Sequence, residues 1–280
     1  MFISSLKKLC VIFFQNRLEN GLASKVEHIQ SFYQKEKALV TSPFIHLGGE
    51  LDAKLLSAVF RRLNISPGGG TVLDIGCGSG ALSTYFGEET RYFGIDLVCQ
   101  PGLKRREGKN KHFTLGNAES LPLKEQSIDL LICLDSFEHY IEPYKAAAEF
   151  FRVLKPGGTL FLSIPNYANI AGLVKKGCER FGSYARDTWA PFDGWKPEAL
   201  EHFITPARIK KVFSKAGFTS FAKAGYKEEV IVGLFPWIWH PAFPERLKVA
   251  LWHLNRLLAR PMVVLWPSSS LHLFWKIFKL

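Results

Sequence analysis

The chain has no internal repeat, no low-complexity tract and no Cys-x-x-Cys pair. Its five cysteines (Cys10, Cys77, Cys99, Cys133 and Cys178) are scattered and odd in number. That argues against a disulfide scaffold or a cysteine zinc site and fits a reducing compartment. No segment reaches the roughly 18 apolar residues of a membrane-spanning helix. Near the start, Lys7 and Lys8 precede only Leu-Cys-Val-Ile-Phe-Phe before Gln15, short of the ~7–15 residues of a secretory core, and no small-residue cleavage site follows. The expectation is an N-terminal, surface-seeking helix over Met1 to Phe14 and a cytoplasmic protein, peripheral to a membrane at most. Acidic residues are also missing in one place: none occurs after Glu245.

What is present is a normal globular composition, 280 residues with 47% apolar side chains, enough for one α/β domain with additions. The 36 Lys and Arg outnumber the 25 Asp and Glu, and nearly all of the +11 excess falls in the second half of the chain. Such asymmetry points to a polyanionic partner, nucleic acid or an anionic membrane, or to a merely solvated basic face. Nothing in the pattern speaks to oligomeric state.

Residues 20–63 read as helical, with Leu51, Leu55, Leu56, Val59 and Leu63 at a 3–4 spacing. After Ser66-Pro-Gly-Gly-Gly70, apolar strand candidates alternate with helical stretches: Thr71–Ile75, Tyr92–Ile95, Phe113–Leu115, Ile128–Leu134, Thr159–Ile164, Phe218–Gly225 and Val230–Phe235. This alternation predicts a doubly wound, Rossmann-like α/β sheet. The last helix of the series has Thr205 as N-cap, Pro206 at its first position and Gly217 as its stop. The expected organisation is an N-terminal helical region (1–63), a central domain (64–235) with an insertion (167–201), and a C-terminal extension (236–280).

The segment Val72-Leu-Asp-Ile-Gly-Cys-Gly-Ser-Gly80 carries most of the functional signal. A buried strand ends at Ile75, and Gly76, Gly78 and Gly80 turn the chain toward a helix starting near Ala81, letting a ligand lie against bare backbone. Asp96, twenty residues past Gly76, ends the next apolar run, where a carboxylate accepts hydrogen bonds from ribose hydroxyls. These features alone imply a nucleoside-containing cofactor and leave NAD open. The spacing is G-x-G-x-G, however, not G-x-G-x-x-G, and Asp74 stands two residues before the loop. A carboxylate there suits an ammonium or sulfonium cation better than a pyrophosphate.

With those residues in view, the chain resembles the class I S-adenosylmethionine-dependent methyltransferases. Asp74-Ile-Gly-Cys-Gly-Ser-Gly80 is similar to the family's first motif and Gly94-Ile-Asp96 to its second. Gly116-Asn-Ala-Glu-Ser-Leu-Pro122 resembles the adenine-binding third, with Asn117 where the family usually has Asp. Ser127–Asp135 resembles the fourth strand, and Leu154-Lys-Pro-Gly-Gly-Thr-Leu160 the turn into the fifth. The resemblance covers roughly residues 50–235. It implies a seven-stranded sheet with an antiparallel last strand and S-adenosylmethionine as cofactor. The implied contacts are Asp74, Gly76, Cys77, Gly78, Gly80, Asp96, Leu97, Asn117, Ala118 and Asp135.

For catalysis the resemblance directs attention to Asp135-Ser-Phe-Glu-His-Tyr140, where Glu138 and His139 are candidates for cofactor contact or general-base work. His202, before the last helix, lies in a stretch similar to quinone-pathway and related small-molecule O-methyltransferases, and is the second candidate base. Trp189, Phe192 and Trp195 could wall an apolar acceptor. Cys133 reads as core, and no carboxylate cluster suggests a metal. The implied reaction is methyl transfer to a small apolar or lipid-like acceptor, at oxygen. The alternatives are an RNA methyltransferase, with nucleic acid the weaker partner, or a non-catalytic S-adenosylmethionine-binding partner of a membrane or complex.

The extension holds five of the seven tryptophans. Glu245 to Arg260 reads as a helix with Leu247, Leu251, Leu254 and Leu258 on one face and Arg246, Lys248, Asn255 and Arg256 mostly off it. This is the composition of a helix lying on an anionic membrane through 244–280, of a packing face, or of a dimer contact.

Overall fold

A computed structural model describes residues 20–35, 42–46, 49–98, 100, 103–181, 199–240 and 242–280. The expected helix over Met1 to Phe14, and Trp189, Phe192 and Trp195, lie outside the described residues. The elements are α1 (Asn20–Lys35), α2 (Ala53–Arg62), β1 (Gly70–Ile75), β2 (Thr90–Asp96), β3 (Lys111–Leu115), β4 (Ile128–Leu134), α3 (Pro143–Val153), β5 (Leu154–Pro165), α4 (Ile170–Phe181), α5 (Pro206–Ala216), β6 (Ser220–Gly225), α6 (Val230–Leu234), α7 (Glu245–Leu265) and β7 (His272–Phe278).

The seven strands form one sheet in the order β3-β2-β1-β4-β5-β7-β6. The five from β3 to β5 run parallel, and β7 runs antiparallel to both of its neighbours. Strand order reverses between β1 and β4, and the crevice outside their carboxyl ends is where open α/β sheets take ligands.

Alternate residues of the central strands feed two cores, as a period of two demands. Leu73, Ile75, Leu131, Cys133, Leu160, Leu162, Trp275 and Ile277 pack with Phe150 of α3 and Val212 and Phe213 of α5. Val72, Leu130, Ile132, Phe161 and Phe274 pack on the other side with Leu56, Val59 and Phe60 of α2. Both faces are covered, which explains why these strands read as nearly unbroken apolar runs. Helix α5 has the anticipated punctuation: the Thr205 side chain accepts from Arg208 N–H, Pro206 opens the first turn, and Gly217 closes it at φ 113°.

Three expectations need correction. The chain after Gly80 makes only a short 3-10 turn, Ala81–Tyr85, because β2 begins at Thr90 and leaves no room for a longer helix. Residues 20–63 are not one helical run, since Leu51 sits in a β-bridge with Ile45 between α1 and α2. The third correction is larger: Val230–Phe235 is not a strand. Residues Val230–Leu234 form the short helix α6, whose Ile231 N–H donates to Asn255 Oδ1 on α7.

The seventh strand comes instead from the last residues of the chain. β7 inserts between β5 and β6, with Leu162 opposite Trp275 and Ala224 opposite Phe274. Lys279, just beyond it, is buried and donates from Nζ to Phe151 O and Leu154 O at the end of α3. The end of the stretch expected to be an extension therefore forms the last strand but one of the sheet, between β5 and the edge strand β6. Trp275→Ala should then cost about 3–5 kcal/mol of stability, read as a lower urea midpoint. An unchanged midpoint would mean that β7 is peripheral to folding.

Candidate functional site

The glycine loop leaves β1 under tight constraint. Gly76 has φ 73°, and a Cβ there would lie 2.2 Å from Ser136 Oγ, so only glycine lets the β1 and β4 ends approach this closely. Gly78 has φ 51° with open space where its Cβ would point, on the side of a cavity of about 260 Å³. Its N–H donates to Asp96 Oδ2 at 2.8 Å, and Val98 N–H donates to Asp96 Oδ1 at 2.9 Å. Asp96 thus joins the loop after β1 to the end of β2. Burial raises its carboxyl above the usual range, opposed by those backbone donors.

Asp74, Gly76, Cys77, Gly78, Asp96, Leu97, Asn117, Ala118, Asp135 and His139 all line this one cavity. Gly80 does not; its open side is filled by the Phe113 ring and Leu103. Asp74 is buried, and Tyr92 OH donates to its Oδ2. Burial pushes its carboxyl up to about 7, against the lowering effect of Tyr92. Asn117 Oδ1 accepts from Glu119 N–H at 2.9 Å, so its amide is oriented by an Asx-type turn and keeps Nδ2 and a second lone pair for a ligand.

The lining carries Asp74, Asp96, Glu119 and Asp135 but, among the described residues, no lysine or arginine. A pyrophosphate would find four carboxyl groups and no compensating cation. A sulfonium or ammonium would be favoured at the same place.

Asp135, at the end of β4, adopts φ 45°, a strained backbone for a non-glycine residue of the kind that clusters at functional sites. Its N–H donates to Ser163 O, and Ser163 Oγ donates to its Oδ1 at 2.9 Å. Asp135 Oδ2 is buried without a hydrogen-bond partner. Behind it lies a pair that sequence reading missed. His272, the first residue of β7, makes a 2.8 Å hydrogen bond through Nδ1 with Glu229 Oε1, and its Nε2 is 3.9 Å from Asp135 Oδ1. Burial alone would lower the His272 pKa; Glu229, and then Asp135, outweigh it and hold the ring up at about 9. Burial raises Asp135, with the His272 cation opposing. Glu229, His272 and Asp135 come from three distant segments, so no local spacing could reveal them.

The two histidine candidates part company. His139 lines the cavity; its Nδ1 donates to Leu200 O at 2.7 Å and its Nε2 lies 3.7 Å from Glu138 Oε1. His202 does not line the cavity. Its Nε2 donates to Tyr140 O at 2.9 Å and its Nδ1 faces Arg208, while burial lowers its pKa. It holds the loop before α5 against the β4 loop, outside the described lining of the cavity. Glu138 is buried below the lining, and its carbonyl accepts from His202 N–H. Cys133 and Tyr140 share a 3.3 Å contact, and burial raises both pKa values, which keeps them neutral and suits Cys133 to the core.

A second feature escaped the sequence reading. Helix α1 closes the cavity from above: Val26, Ile29 and Tyr33 line it, and Gln30 Nε2 donates to Leu97 O at 3.1 Å. Its only signal was an ordinary amphipathic pattern, without any chemistry-bearing residue.

Residues 73–162 match the methyltransferase domain family. The demethylmenaquinone methyltransferase of Lactococcus lactis is 28% identical over 167 residues, covering 54% of this chain and 66% of that protein. The norajmaline N-methyltransferase of Rauvolfia serpentina is 23% identical over 189 residues, covering 55% and 64%. This chain therefore spans just under two thirds of the length of either relative. Among solved structures, an S-adenosylmethionine-dependent methyltransferase from Thermotoga maritima has the same fold, with a TM-score of 0.54 at 16% identity over 91% of this chain and 99% of that one.

His272→Gln should strip the cation from between the buried Asp135 carboxyl and the half-buried Glu229 carboxylate and cost about 3 kcal/mol. Because folding raises the His272 pKa from the usual ~6.5 to about 9, its contribution is fully present below pH ~6.5 and is lost as pH climbs through about 9. Urea melts across that window should show the wild type losing stability and the variant lacking that part of the slope. Identical slopes would remove His272 from the charge network.

Proposed function

Because this chain belongs to the class I S-adenosylmethionine-dependent methyltransferases by its domain match and sheet order, we propose that it transfers a methyl group to a small apolar or lipid-like acceptor, at oxygen. The observation that carries the reading is the cavity itself, with four carboxyl groups and, among its described lining residues, no lysine or arginine. The small-molecule acceptor is supported by the two curated relatives, whose names point to a demethylmenaquinone and, at nitrogen, to norajmaline; the choice of oxygen rests on the site residues alone.

The residues present fit the cofactor. The bare backbone at Gly78 opens on the cavity, and a side chain there would occupy it. Asp74 and the glycine loop would hold the amino-acid end, Asp96 the ribose hydroxyls, and Asn117 with Ala118 the adenine. When bound, S-adenosylmethionine supplies an electrophilic methyl group that needs no further activation.

What remains for the protein is to align the acceptor and take its proton. Asp135 Oδ2 is buried without a hydrogen-bond partner among the described residues, with the Ser42 hydroxyl acting on the same carboxyl from within the cavity, so an acceptor hydroxyl that reaches it gains a charge-assisted hydrogen bond. His139, on the same wall, is the group that takes the proton as the oxygen forms its bond to carbon. Leu200 O fixes the Nδ1 proton, which directs proton uptake to Nε2, and Glu138 stabilises the resulting imidazolium. Val26 and Ile29 of α1 keep water from this end of the cavity.

Calorimetry should detect S-adenosylmethionine binding, and Asp96→Ala should weaken it by roughly 10- to 100-fold. The Asp74 carboxyl is held up to about 7, and only its anion attracts an ammonium. Affinity should therefore rise between pH 6 and pH 8, and Asp74→Asn should flatten that rise. Incubation with labelled cofactor and fractionated extract should place label in the lipid or small-molecule fraction, and His139→Gln should abolish it. Label in RNA, or binding without any transfer, would contradict the reading.

A further inference from the structure

Helix α7 is longer than its packing requires. Asn255, Ala259 and Val263 face the protein; Asn255 accepts from Ile231 N–H and donates to Lys227 O, and Arg62 donates to Val263 O. One outward flank is apolar along its full length. Leu247, Leu254, Leu258 and Leu265 recur at intervals of seven, four and seven residues, which sets them on one stripe. They are exposed by 53%, 47%, 47% and 85%, and Leu257 and Val264 beside them by 75% and 68%. Trp266 at the end of the helix and Trp239 in the turn before it are exposed as well. The sequence reading had placed Asn255 on the polar face; it is buried because it caps α6.

Arg246, Arg256 and Arg260 are exposed on the other outward flank. The one acidic residue, Glu245, is paired with Lys248, and none follows it in the chain. We propose that this face of α7 docks on an anionic lipid bilayer, lying in the plane of the interface. Two observations select that occupant. An apolar stripe edged by arginines, flanked by exposed tryptophans and free of unpaired carboxylates, matches headgroup negative charge above an acyl layer. A second copy packed antiparallel on the stripe would bring two arginine flanks together, and like charges across an interface are unfavourable. Among the described residues no helix is long and apolar enough to cross a membrane, which leaves lying on the surface.

The docked face is one layer away from the catalytic cavity. The two backbone groups bound by Asn255 bracket Glu229, and Glu229 holds His272 beside Asp135. Resting on the proposed methyl transfer, the membrane then serves as the source from which a lipid-soluble acceptor reaches Asp135 and His139.

The test is sedimentation of the full-length protein with vesicles of phosphatidylcholine alone or with about one third phosphatidylglycerol. Binding to the anionic vesicles, weakened by 0.5 M salt ~ tenfold or more, is expected. Replacing Arg246, Arg256 and Arg260 together by glutamine should weaken it roughly 100-fold. Leu254→Ser with Leu258→Ser should abolish it while S-adenosylmethionine binding and the urea midpoint stay at wild-type values. Failure of the folded wild type to bind, equal binding to neutral and anionic vesicles, or a wild-type dimer that the leucine pair dissolves would each overturn the docking surface. Methyl transfer to a soluble acceptor is read separately: vesicle binding without transfer would leave the docking standing and sink the catalytic reading alone.

Discussion

Everything at this site depends on one constraint: several carboxyl groups share a small, largely buried space with no lysine or arginine among its described lining residues to balance them. Asp96 spends part of its hydrogen-bonding capacity on Gly78 N–H and Val98 N–H, which fixes the loop's shape. Asp74 is satisfied by Tyr92 and held near neutrality by burial. Asp135 is the least satisfied, with one oxygen unpartnered and a buried histidinium behind it as its nearest cation. Such a cavity is costly when empty, and a positively charged sulfur nucleoside relieves that cost where a dinucleotide would add to it.

How much of this was legible in the sequence follows from the range of each signal. The glycine loop, Asp96, the limits of β4 and the caps of α5 are encoded by neighbours within a few residues, and the structure places them as the pattern indicates. β7 was not legible. Its Leu-Phe-Trp-Lys-Ile alternation is short and gains its meaning only from β5 and β6, about 50 to 110 residues earlier in the sequence. Val230–Phe235 misled for the complementary reason: its β-branched composition suits a strand, but the Asn255 side chain from α7 caps it as a helix.

The site shows the same division. The sequence expects residues on the β1, β2 and β4 ends to share one crevice, and they line one cavity. Val26, Ile29 and Tyr33 were not, since a lid needs only an apolar face. Glu229 and His272 were invisible because their partnership with Asp135 exists only after β7 has joined the sheet. His202 differs again: it stands in a suggestive place in the sequence, and in the structure its Nε2 donates to the Tyr140 carbonyl.

The C-terminal segment therefore does three things at once. β7 fills the sheet, His272 supplies the buried cation of the site, and α7 presents an apolar and basic face to the outside. The account as a whole is tested most directly by diffraction from crystals soaked with S-adenosylhomocysteine. It predicts nucleoside density between Gly78 and Asn117, with the ribose hydroxyls on Asp96 and the amino group toward Asp74. Density at any other place on the protein, or a ribose turned away from Asp96, would contradict it.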